Sequence, residues 1–306
     1  MTQGWHQTSN NSAPLAMTVD LEDYFQVSAF NGVVSREQWG EKYPLRVVES
    51  TRKLLDLFEN HNVKATFFVL GWVAERCPAL VAEIHQKGHE IACHGFHHQR
   101  VTELDRHGFE ADVSRAKLLL ESITGEAVRG YRAPSFSINT SNEWAFSVLA
   151  EMGFTFSSST YPVQHDHYGV PEWPRFIHKR PEGITEIPIP TLSLMGRNIP
   201  IGGGGYFRLY PLGVTTRLID RYLNDTGAPF SLYIHPWELD PGQPRMQGIP
   251  LKTKFRHYLN LNRTEHRLNR LFSLYRWDTM SRVYQLDTDL FRGHQRDSVI
   301  TDFATG

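Results

Sequence analysis

Apolar residues along the first hundred positions follow two spacings, and each spacing predicts a different element. Arg46 to His61 and Val73 to Lys87 repeat apolar residues at the spacing of an amphipathic helix. Short, mostly apolar segments flank these helices and predict buried strands at LAMTVD (15–20), KATFFVLG (64–71) and HEIAC (89–93). Strands that alternate with helices in this way predict a parallel sheet with right-handed crossovers.

The alternation continues downstream with one interruption. We expect helices over about 105–123 and 141–152, and strands at GYRAP (130–134), FTFSSS (154–159) and PFSLYIH (229–235). Residues 160–210 contain many prolines and glycines and are too long for a simple connection, so we interpret them as an inserted loop or hairpin region. Phe255 to Tyr275 predicts a long basic amphipathic helix on the surface.

The length and composition favour one large α/β domain. We expect a flexible tail at 1–14, a single domain over 15–290 and a C-terminal tail at 291–306.

The 32 basic residues nearly balance the 33 acidic ones, so the charge does not indicate nucleic acid as a partner. Two cysteines argue against a disulfide scaffold. No run approaches the ~18 apolar residues of a membrane span, and no signal-peptide pattern opens the sequence, so we expect a cytoplasmic protein without stable membrane insertion.

The HGFHH segment follows the third predicted strand and offers two metal ligands. On a helical turn, His94 and His98 would project from one face and reach the same cation. The acidic cluster of Asp20, Glu22 and Asp23 follows the first predicted strand, and such folds place their sites at the carboxyl ends of the strands. A carboxylate from this cluster would complete a metal site with open positions, which is typical of metal-assisted hydrolysis. The donor set suits Zn²⁺, but it would also bind Fe²⁺ or Co²⁺.

The acidic cluster can supply both a metal ligand and a general base. Asp20 and Glu22 share one face of a strand, whereas Asp23 points elsewhere unless the chain turns. One carboxylate can bind the cation while another takes a proton from the attacking water. Arg132, in GYRAPSF, stands at another predicted strand end and is expected to hold Asp20 ionised and oriented. The backbone N–H near Ser135 is a candidate donor to an oxyanion.

A second group of candidates comes from the last third of the chain. His235 ends the predicted strand in LYIHPWELD and is a candidate general acid for a leaving amine. Trp237 and Glu238 follow it and are expected to shape the pocket or to orient His235, with Trp237 also a candidate contact for the substrate. The GGGGYFR run lacks the residues of a phosphate-binding loop, so we expect its glycines to allow close approach of a ligand such as a sugar, with Tyr206 and Arg208 as contacts.

These motifs together resemble the polysaccharide deacetylase (NodB-type) superfamily, the family-4 carbohydrate esterases. TVDLED, HGFHH, GYRAPSF and LYIHP occur in the order of that family. VDLEDYFQV, RNIPIGGGGYFR, LYIHPWELDPGQPR and FRHYLNLNRTEHRL resemble more narrowly the deacetylases of exosortase and exopolysaccharide gene clusters. The resemblance implies a distorted (β/α) barrel of about seven strands and a divalent metal, commonly zinc. The implied reaction is hydrolysis of N-acetyl groups on the amino sugars of a glycan, with release of acetate.

The resemblance also implies roles for individual residues. His94 and His98 would be metal ligands, Asp20 the base, His235 the acid and Arg132 the partner of the base. Many relatives carry two adjacent aspartates in the first motif, but position 21 is leucine here, so the carboxylate ligand would be Glu22 or Asp23. Strand alternation favours Glu22. No clear acidic motif follows FTFSSS, which leaves the support of Arg132 and His235 open.

Two alternatives to a glycan deacetylase remain open at this point. The fold would also serve a hydrolase of another small or cyclic amide. A degenerate sugar-binding protein could keep the fold without the chemistry, but binding alone requires neither a base nor an acid. The long 160–210 region and the many aromatic residues favour a glycan substrate.

Overall fold

The computed structural model describes residues 13–164 and 169–286. The tails predicted at 1–14 and 291–306 therefore lie outside the described residues, except for positions 13 and 14. Among the described residues, no helix combines the length and the apolar character that crossing a membrane would require.

Seven parallel strands form the centre of the fold. They are β1 (Leu15–Leu21), β2 (Thr66–Val69), β3 (Glu90–Cys93), β4 (Gly130–Tyr131), β5 (Phe156–Ser157), β7 (Thr185–Glu186) and β10 (Ser231–Ile234). Their spatial order is β10, β1, β2, β3, β4, β5 and β7, and every neighbouring pair is parallel. The first strand is thus flanked by the second and by the last of the set, so the sheet curls into the predicted distorted (β/α) barrel.

The described residues also form four strands outside this set of seven. β6 (His178–Lys179) pairs antiparallel with β7, and β11 (Trp277–Asp278) pairs with the beginning of β1. β8 (Thr191–Leu194) and β9 (Arg197–Pro200) form a separate antiparallel hairpin. The region 160–210 therefore contains the predicted hairpin, but it also supplies one parallel strand of the main sheet.

Helices connect the strands and cover the sheet. The helices are α1 (Val47–Asn60), α2 (Gly71–Arg76), α3 (Pro78–Gln86), α4 (Arg106–Thr124), α5 (Trp144–Glu151), α6 (Gly204–Leu209), α7 (Leu212–Thr226), α8 (Leu251–Tyr258), α9 (Leu261–Phe272) and α10 (Met280–Val283). Short 3-10 turns occupy Ser28–Phe30, Arg36–Gln38, Val101–Glu103, Pro134–Phe136 and Pro236–Leu239. All seven residues of β1 are buried, as expected for a parallel strand that is covered on both faces.

Two predicted helices are each divided in two. The segment 73–87 is broken at Cys77, because Pro78 cannot continue the preceding helix and instead begins α3. The segment 255–275 is broken at Asn260, which adopts the left-handed conformation with φ of 54° between α8 and α9. The first break has a signal in the sequence, and the second depends on an asparagine that tolerates this conformation.

The sheet brings distant segments of the chain to one edge. Asp20 pairs with Phe68 in β2, and His94, Arg132 and His235 follow directly after β3, β4 and β10. Because the strands are parallel, these positions share the carboxyl edge of the sheet, where such folds place their active sites.

Candidate active site

A buried ion pair occupies the centre of the carboxyl edge. Nη1 of Arg132 lies 2.5 Å from Oδ1 of Asp20 and also donates to the hydroxyl of Thr18 at 3.0 Å. The guanidinium is fully buried, and its other nitrogens donate to the carbonyl and the hydroxyl of Ser158 at 3.2 and 3.1 Å. Its planar fork therefore fixes the orientation of the Asp20 carboxylate.

Three buried donors converge beside this ion pair. One ligand atom from each of Glu22, His94 and His98 can be chosen so that all three atoms lie within 4.8 Å of one another. Nε2 of His98 lies 2.7 Å from Oε2 of Glu22, yet this buried oxygen accepts no hydrogen bond from the described residues. Nδ1 of His94 lies 2.8 Å from the carbonyl oxygen of Arg132, to which it can donate. This bond leaves Nε2 of His94 as a neutral donor for a cation.

The pKa values of these groups suit a metal site. Burial lowers the pKa of His94 to about 4, so its imidazole is neutral at physiological pH. Burial by itself raises the pKa of Glu22, but the interaction with His98, together with those with His235 and His94, outweighs burial and lowers it to about 2. A neutral imidazole and an ionised carboxylate are the protonation states that divalent cations require.

The predicted helical turn at HGFHH is wrong, although its two histidines do meet. Residues 94–98 form a loop in which Gly95 and His98 have positive φ of 72° and 53°. Both oxygens of Asp112 hold this loop by accepting from the backbone of Phe96 and His97 at 2.7 and 3.1 Å. The loop therefore brings His98 to Glu22 through left-handed backbone rather than through helical spacing, and such strain commonly occurs at functional sites.

A cation fits these three residues, while Asp23 has a different role. Oδ2 of Asp23 accepts from the backbone N–H groups of Arg46 and Val47 at 2.7 and 2.9 Å, at the beginning of α1. Oδ1 accepts from the backbone of Tyr24 at 2.8 Å. Both carboxylate oxygens are thus used within the fold, so the geometry favours Glu22 over Asp23 as the third ligand.

His235 lies opposite Asp20 and Glu22, and its side chain is more exposed to solvent than theirs. Its side chain is 19% exposed, and its Nε2 lies 3.9 Å from Oδ2 of Asp20 and 3.6 Å from Oε1 of Glu22. Nδ1 of His235 lies 2.8 Å from Oε1 of Glu238, which also accepts from the backbone N–H of His235 at 3.1 Å. Burial opposes a charge on His235, but the bond to Glu238 and the nearby carboxylates outweigh it and raise its pKa to about 9. The imidazole can therefore hold a proton at Nε2, facing the cavity.

Trp237 lies behind the site rather than on its open face. Its side chain is only 6% exposed, and its Nε1 donates to Oε1 of Glu22 at 3.2 Å. The indole lies between two imidazoles, with ring centroids 5.0 Å from His235 and 4.3 Å from His257. Burial lowers the pKa of His257 to about 3, so the stack contains a neutral imidazole on its inner side. Trp237 thus holds both Glu22 and His235 in place.

The expectation that Arg208 contacts a sugar is wrong. Arg208 is 2% exposed, and its Nε donates to Oε2 of Glu238 at 2.6 Å. Its Nη1 donates to the carbonyl oxygens of His257 and Leu259 at 2.9 and 2.8 Å. A guanidinium with these internal acceptors has no open face for a substrate. Tyr206, the other residue predicted from this motif, is half-buried, and its ring centroid lies 6.0 Å from that of Tyr210.

Ser135 is connected to the site through another serine. Its hydroxyl lies 2.6 Å from that of Ser28, which in turn lies 3.5 Å from Nδ1 of His98. Ser135 and the following Phe136 have positive φ of 56° and 50°. The turn after Arg132 is therefore strained and presents the Ser135 hydroxyl toward the loop that carries His98. Its role with a substrate stays a prediction.

Sequence reasoning left the support of His235 and Arg132 open, and the structure shows several residues that fill this role. Glu238 is the one that the sequence already offers for orienting His235, because it follows this histidine by three residues. Nothing in the local sequence indicates Ser158, Ser159 or Glu186. The Ser159 hydroxyl accepts from the backbone of Ala133 at 2.9 Å, and Oε1 of Glu186 accepts from the backbone of Ser159 at 2.8 Å.

Comparison with known families divides the chain into two matched parts. Residues 41–157 match the family described as Polysaccharide deacetylase. Residues 158–285 match a family described as Domain of unknown function (DUF3473). The first match contains the predicted ligands His94 and His98, and the second contains His235, whereas Asp20 and Glu22 lie before both.

Individual relatives match shorter segments. A peptidoglycan-N-acetylglucosamine deacetylase of Bacillus cereus is 34% identical over 87 residues, which are 28% of this chain and 32% of that protein. A chitooligosaccharide deacetylase of Sinorhizobium fredii is 36% identical over 85 residues, or 28% of this chain and 40% of that protein. The alignments thus span less than half of these curated relatives.

One solved structure shows the same fold across nearly the whole chain. A crystal structure from Mycobacterium smegmatis, provisionally described as a polysaccharide deacetylase, superimposes with a TM-score of 0.56 at 18% identity. The superposition covers 96% of both chains, so the shared architecture extends through both matched regions and confirms the predicted fold class.

Proposed function

The chain carries a polysaccharide deacetylase domain of the NodB type, and from this premise we propose that it is a metal-dependent hydrolase of N-acetyl groups on glycan amino sugars. One observation carries this proposal. Asp20 and His235 face each other across 3.9 Å, each with its own buried charged partner, beside the donor set of Glu22, His94 and His98. A sugar-binding protein would need neither this base nor this acid.

In the proposed reaction, water attacks the acetyl carbon of a linear amide. A divalent cation held by Glu22, His94 and His98, which we propose to be Zn²⁺, would polarise the acetyl carbonyl and make the water a better nucleophile. Asp20 takes the proton that the water loses as the new C–O bond forms, and Arg132 keeps its carboxylate turned toward the water.

The acid His235 completes the reaction at the leaving nitrogen. An amine leaves an amide only when its nitrogen is protonated, because the anion of an amine is a very poor leaving group. Nε2 of His235 faces the cavity and donates this proton as the C–N bond breaks, while Nδ1 stays bound to Glu238 at 2.8 Å. The products are acetate and a free amino sugar.

The proposed substrate is a polymer of N-acetylated amino sugars. The names of the relatives, a peptidoglycan-N-acetylglucosamine and a chitooligosaccharide deacetylase, support N-acetylglucosamine as the sugar. The resemblance to deacetylases of exopolysaccharide gene clusters supports a bacterial exopolysaccharide or its lipid-linked precursor as the natural glycan.

We also propose that 15–290 acts as a single catalytic domain. The base and one proposed ligand stand on β1, two more ligands follow β3, and the acid follows β10. β1 pairs with both β2 and β10, so separating the two matched regions would divide the sheet next to its first strand.

The test is acetate release from N-acetylglucosamine oligomers. We expect release by the wild-type protein, loss after treatment with a chelator and recovery when zinc is added. His94→Gln should lose bound metal and activity. His89→Gln is a matched control, because His89 is also buried next to β3 but binds the backbone of Ala65 at 3.2 Å, away from the site.

Each outcome decides between the proposal and its alternatives. Metal-dependent release of acetate from the oligomers supports the proposal. Bound metal without release would favour the hydrolase of another small amide. Absence of bound metal after zinc addition would refute the metal site and favour a sugar-binding protein.

A further inference from the structure

The GGGGYFR motif has no place in the proposed reaction, yet two of its residues contact the partner of the acid. Arg208 and Gly204 both touch Glu238, which is fully buried. Glu238 in turn binds His235 through its side chain and its backbone. We propose that Arg208 and Gly204 are positioning residues that place His235 through Glu238, an inference that rests on the proposed deacetylase function.

The contacts of Glu238 divide its two oxygens between two partners. Oε1 accepts from Nδ1 of His235 at 2.8 Å, and Oε2 accepts from Nε of Arg208 at 2.6 Å. Arg208 cannot follow a moving carboxylate, because its Nη1 is held by the carbonyl oxygens of His257 and Leu259. The guanidinium therefore fixes which oxygen of Glu238 faces His235, and hence the plane of the imidazole.

Gly204 supplies the space that this arrangement needs. A Cβ atom at this position would lie 2.1 Å from Oε1 and 2.6 Å from Oε2 of Glu238. Any side chain at 204 would therefore displace the carboxylate from His235. The next glycine differs, because a Cβ at Gly205 would meet nothing within 4 Å. Gly204 thus allows α6 to pack closely on the buried carboxylate, while a Cβ at Gly203 would meet the side chain of Tyr233 instead.

The expected defect is specific to substrates that need an acid. An amide requires a proton on its leaving nitrogen, whereas p-nitrophenolate leaves an ester as a stable anion without one. If Arg208 and Gly204 position the acid, Arg208→Gln and Gly204→Ala should lower kcat for an N-acetylglucosamine oligomer by about 10- to 100-fold. The rate for p-nitrophenyl acetate should fall by less than about threefold, since water attack and its base remain intact.

Two further readouts separate positioning from simple loss of structure. KM for the oligomer should stay near the wild-type value, because Arg208 is buried and has no face toward a substrate. Bound zinc should also be unchanged, because neither residue contacts Glu22, His94 or His98 in the described contacts. Unfolding or metal loss would instead lower the amide and ester rates together.

Each variant has a matched control in the same segment. Gly205→Ala places the same methyl group one residue along α6, where the space is open. Arg267→Gln removes another guanidinium that holds this segment, a partly buried one, since Nη1 of Arg267 donates to the carbonyl oxygen of Arg208 at 2.7 Å without touching Glu238. Both controls should keep the wild-type ratio of amide to ester hydrolysis.

The experiment uses the zinc-loaded full chain and measures both substrates for the wild type and all four variants. A selective loss of amide hydrolysis in Arg208→Gln or Gly204→Ala supports the inference. Equal losses on both substrates, or unchanged amide hydrolysis in both variants, would overturn it. A wild-type protein that hydrolyses neither substrate would refute the proposed function itself, and with it this inference. Because Gly204→Ala keeps the buried arginine, it tests the inference even if Arg208→Gln does not fold.

Discussion

Replacing Trp237 with phenylalanine should weaken metal binding while leaving the rings of the site stacked. The indole Nε1 donates to Oε1 of Glu22 at 3.2 Å, and this carboxylate is 2% exposed. Phenylalanine keeps an aromatic ring between His235 and His257 but removes the donor. The other oxygen of Glu22, Oε2, is the atom that accepts no hydrogen bond from the described residues and faces His98. Trp237 therefore fixes the carboxylate plane from behind while Oε2 remains available to a cation.

The size of the effect follows from the kind of bond that is lost. A hydrogen bond to a charged group contributes about 1.5–3 kcal/mol. The 3.2 Å separation is at the long end of the normal range, so the lower figure applies. Since about 1.4 kcal/mol corresponds to tenfold in a binding constant, zinc should bind about 10-fold more weakly. This magnitude agrees with the roughly 10- to 100-fold losses seen when a partner of a metal ligand is removed.

The assay is a zinc titration of the metal-free protein against a competing chelator of known affinity. Trp277→Phe is the matched control, because the buried Nε1 of Trp277 has no hydrogen-bond partner in the described part of the chain and lies on β11. We expect the control to bind zinc as the wild type does. Equal zinc affinity in Trp237→Phe and the wild type would refute the view that the indole orients Glu22. Loss of affinity in both tryptophan variants would also contradict it.

Three further predictions concern the base, the packing of the sheet and the response to acid. Asp20→Asn should lower turnover by about 10²- to 10⁴-fold without loss of bound zinc, and near-normal acetate release would exclude Asp20 as the base. Gly130→Ala would place Cβ 2.2 Å from Cζ of Phe156 and should reduce the free energy of unfolding in urea by about 1–3 kcal/mol, whereas Gly213→Ala, which meets nothing within 4 Å, should not. Burial lowers the pKa of His89 to about 4. Between about pH 6.5 and 4, His89 is therefore protonated in the unfolded chain but neutral in the folded one. Stability should therefore fall between about pH 6.5 and 4, and the fall should be shallower in His89→Gln; parallel urea midpoints across this range would contradict the assignment.

The strands and most helices could be predicted because burial leaves a direct trace in the sequence. β1 is buried along its entire length, and up to Asp20 its residues are apolar except for Thr18. The break before α3 also has a local cause, since Pro78 cannot continue a helix. By contrast, the break at Asn260 depends on a left-handed conformation that asparagine tolerates but does not impose.

The sequence indicates some residues of the candidate site but not others, because these residues meet through tertiary contacts. His94 and His98 do converge, but the loop that joins them is held by Asp112, which is 14 residues beyond His98. Arg208 was misjudged because its partner Glu238 is 30 residues away, and a charged residue in a glycine-rich segment has the sequence pattern of an exposed contact. Local spacing can indicate which residue types belong together, but it does not show which charges will be buried against each other.

The region of unknown function is an integral part of the candidate site rather than an appendage to the deacetylase domain. The first matched region ends at 157, yet Arg132 within it is held by the carbonyl of Ser158, the first residue of the second region. The second region also supplies His235 and the indole that binds Glu22. Because β1 lies between β2 and β10, the sheet itself requires both regions to place Asp20 and His235, the proposed base and acid, 3.9 Å apart. The boundary between the two matches therefore separates two family models but not two functional units, because the chemistry that we propose depends on side chains from both regions.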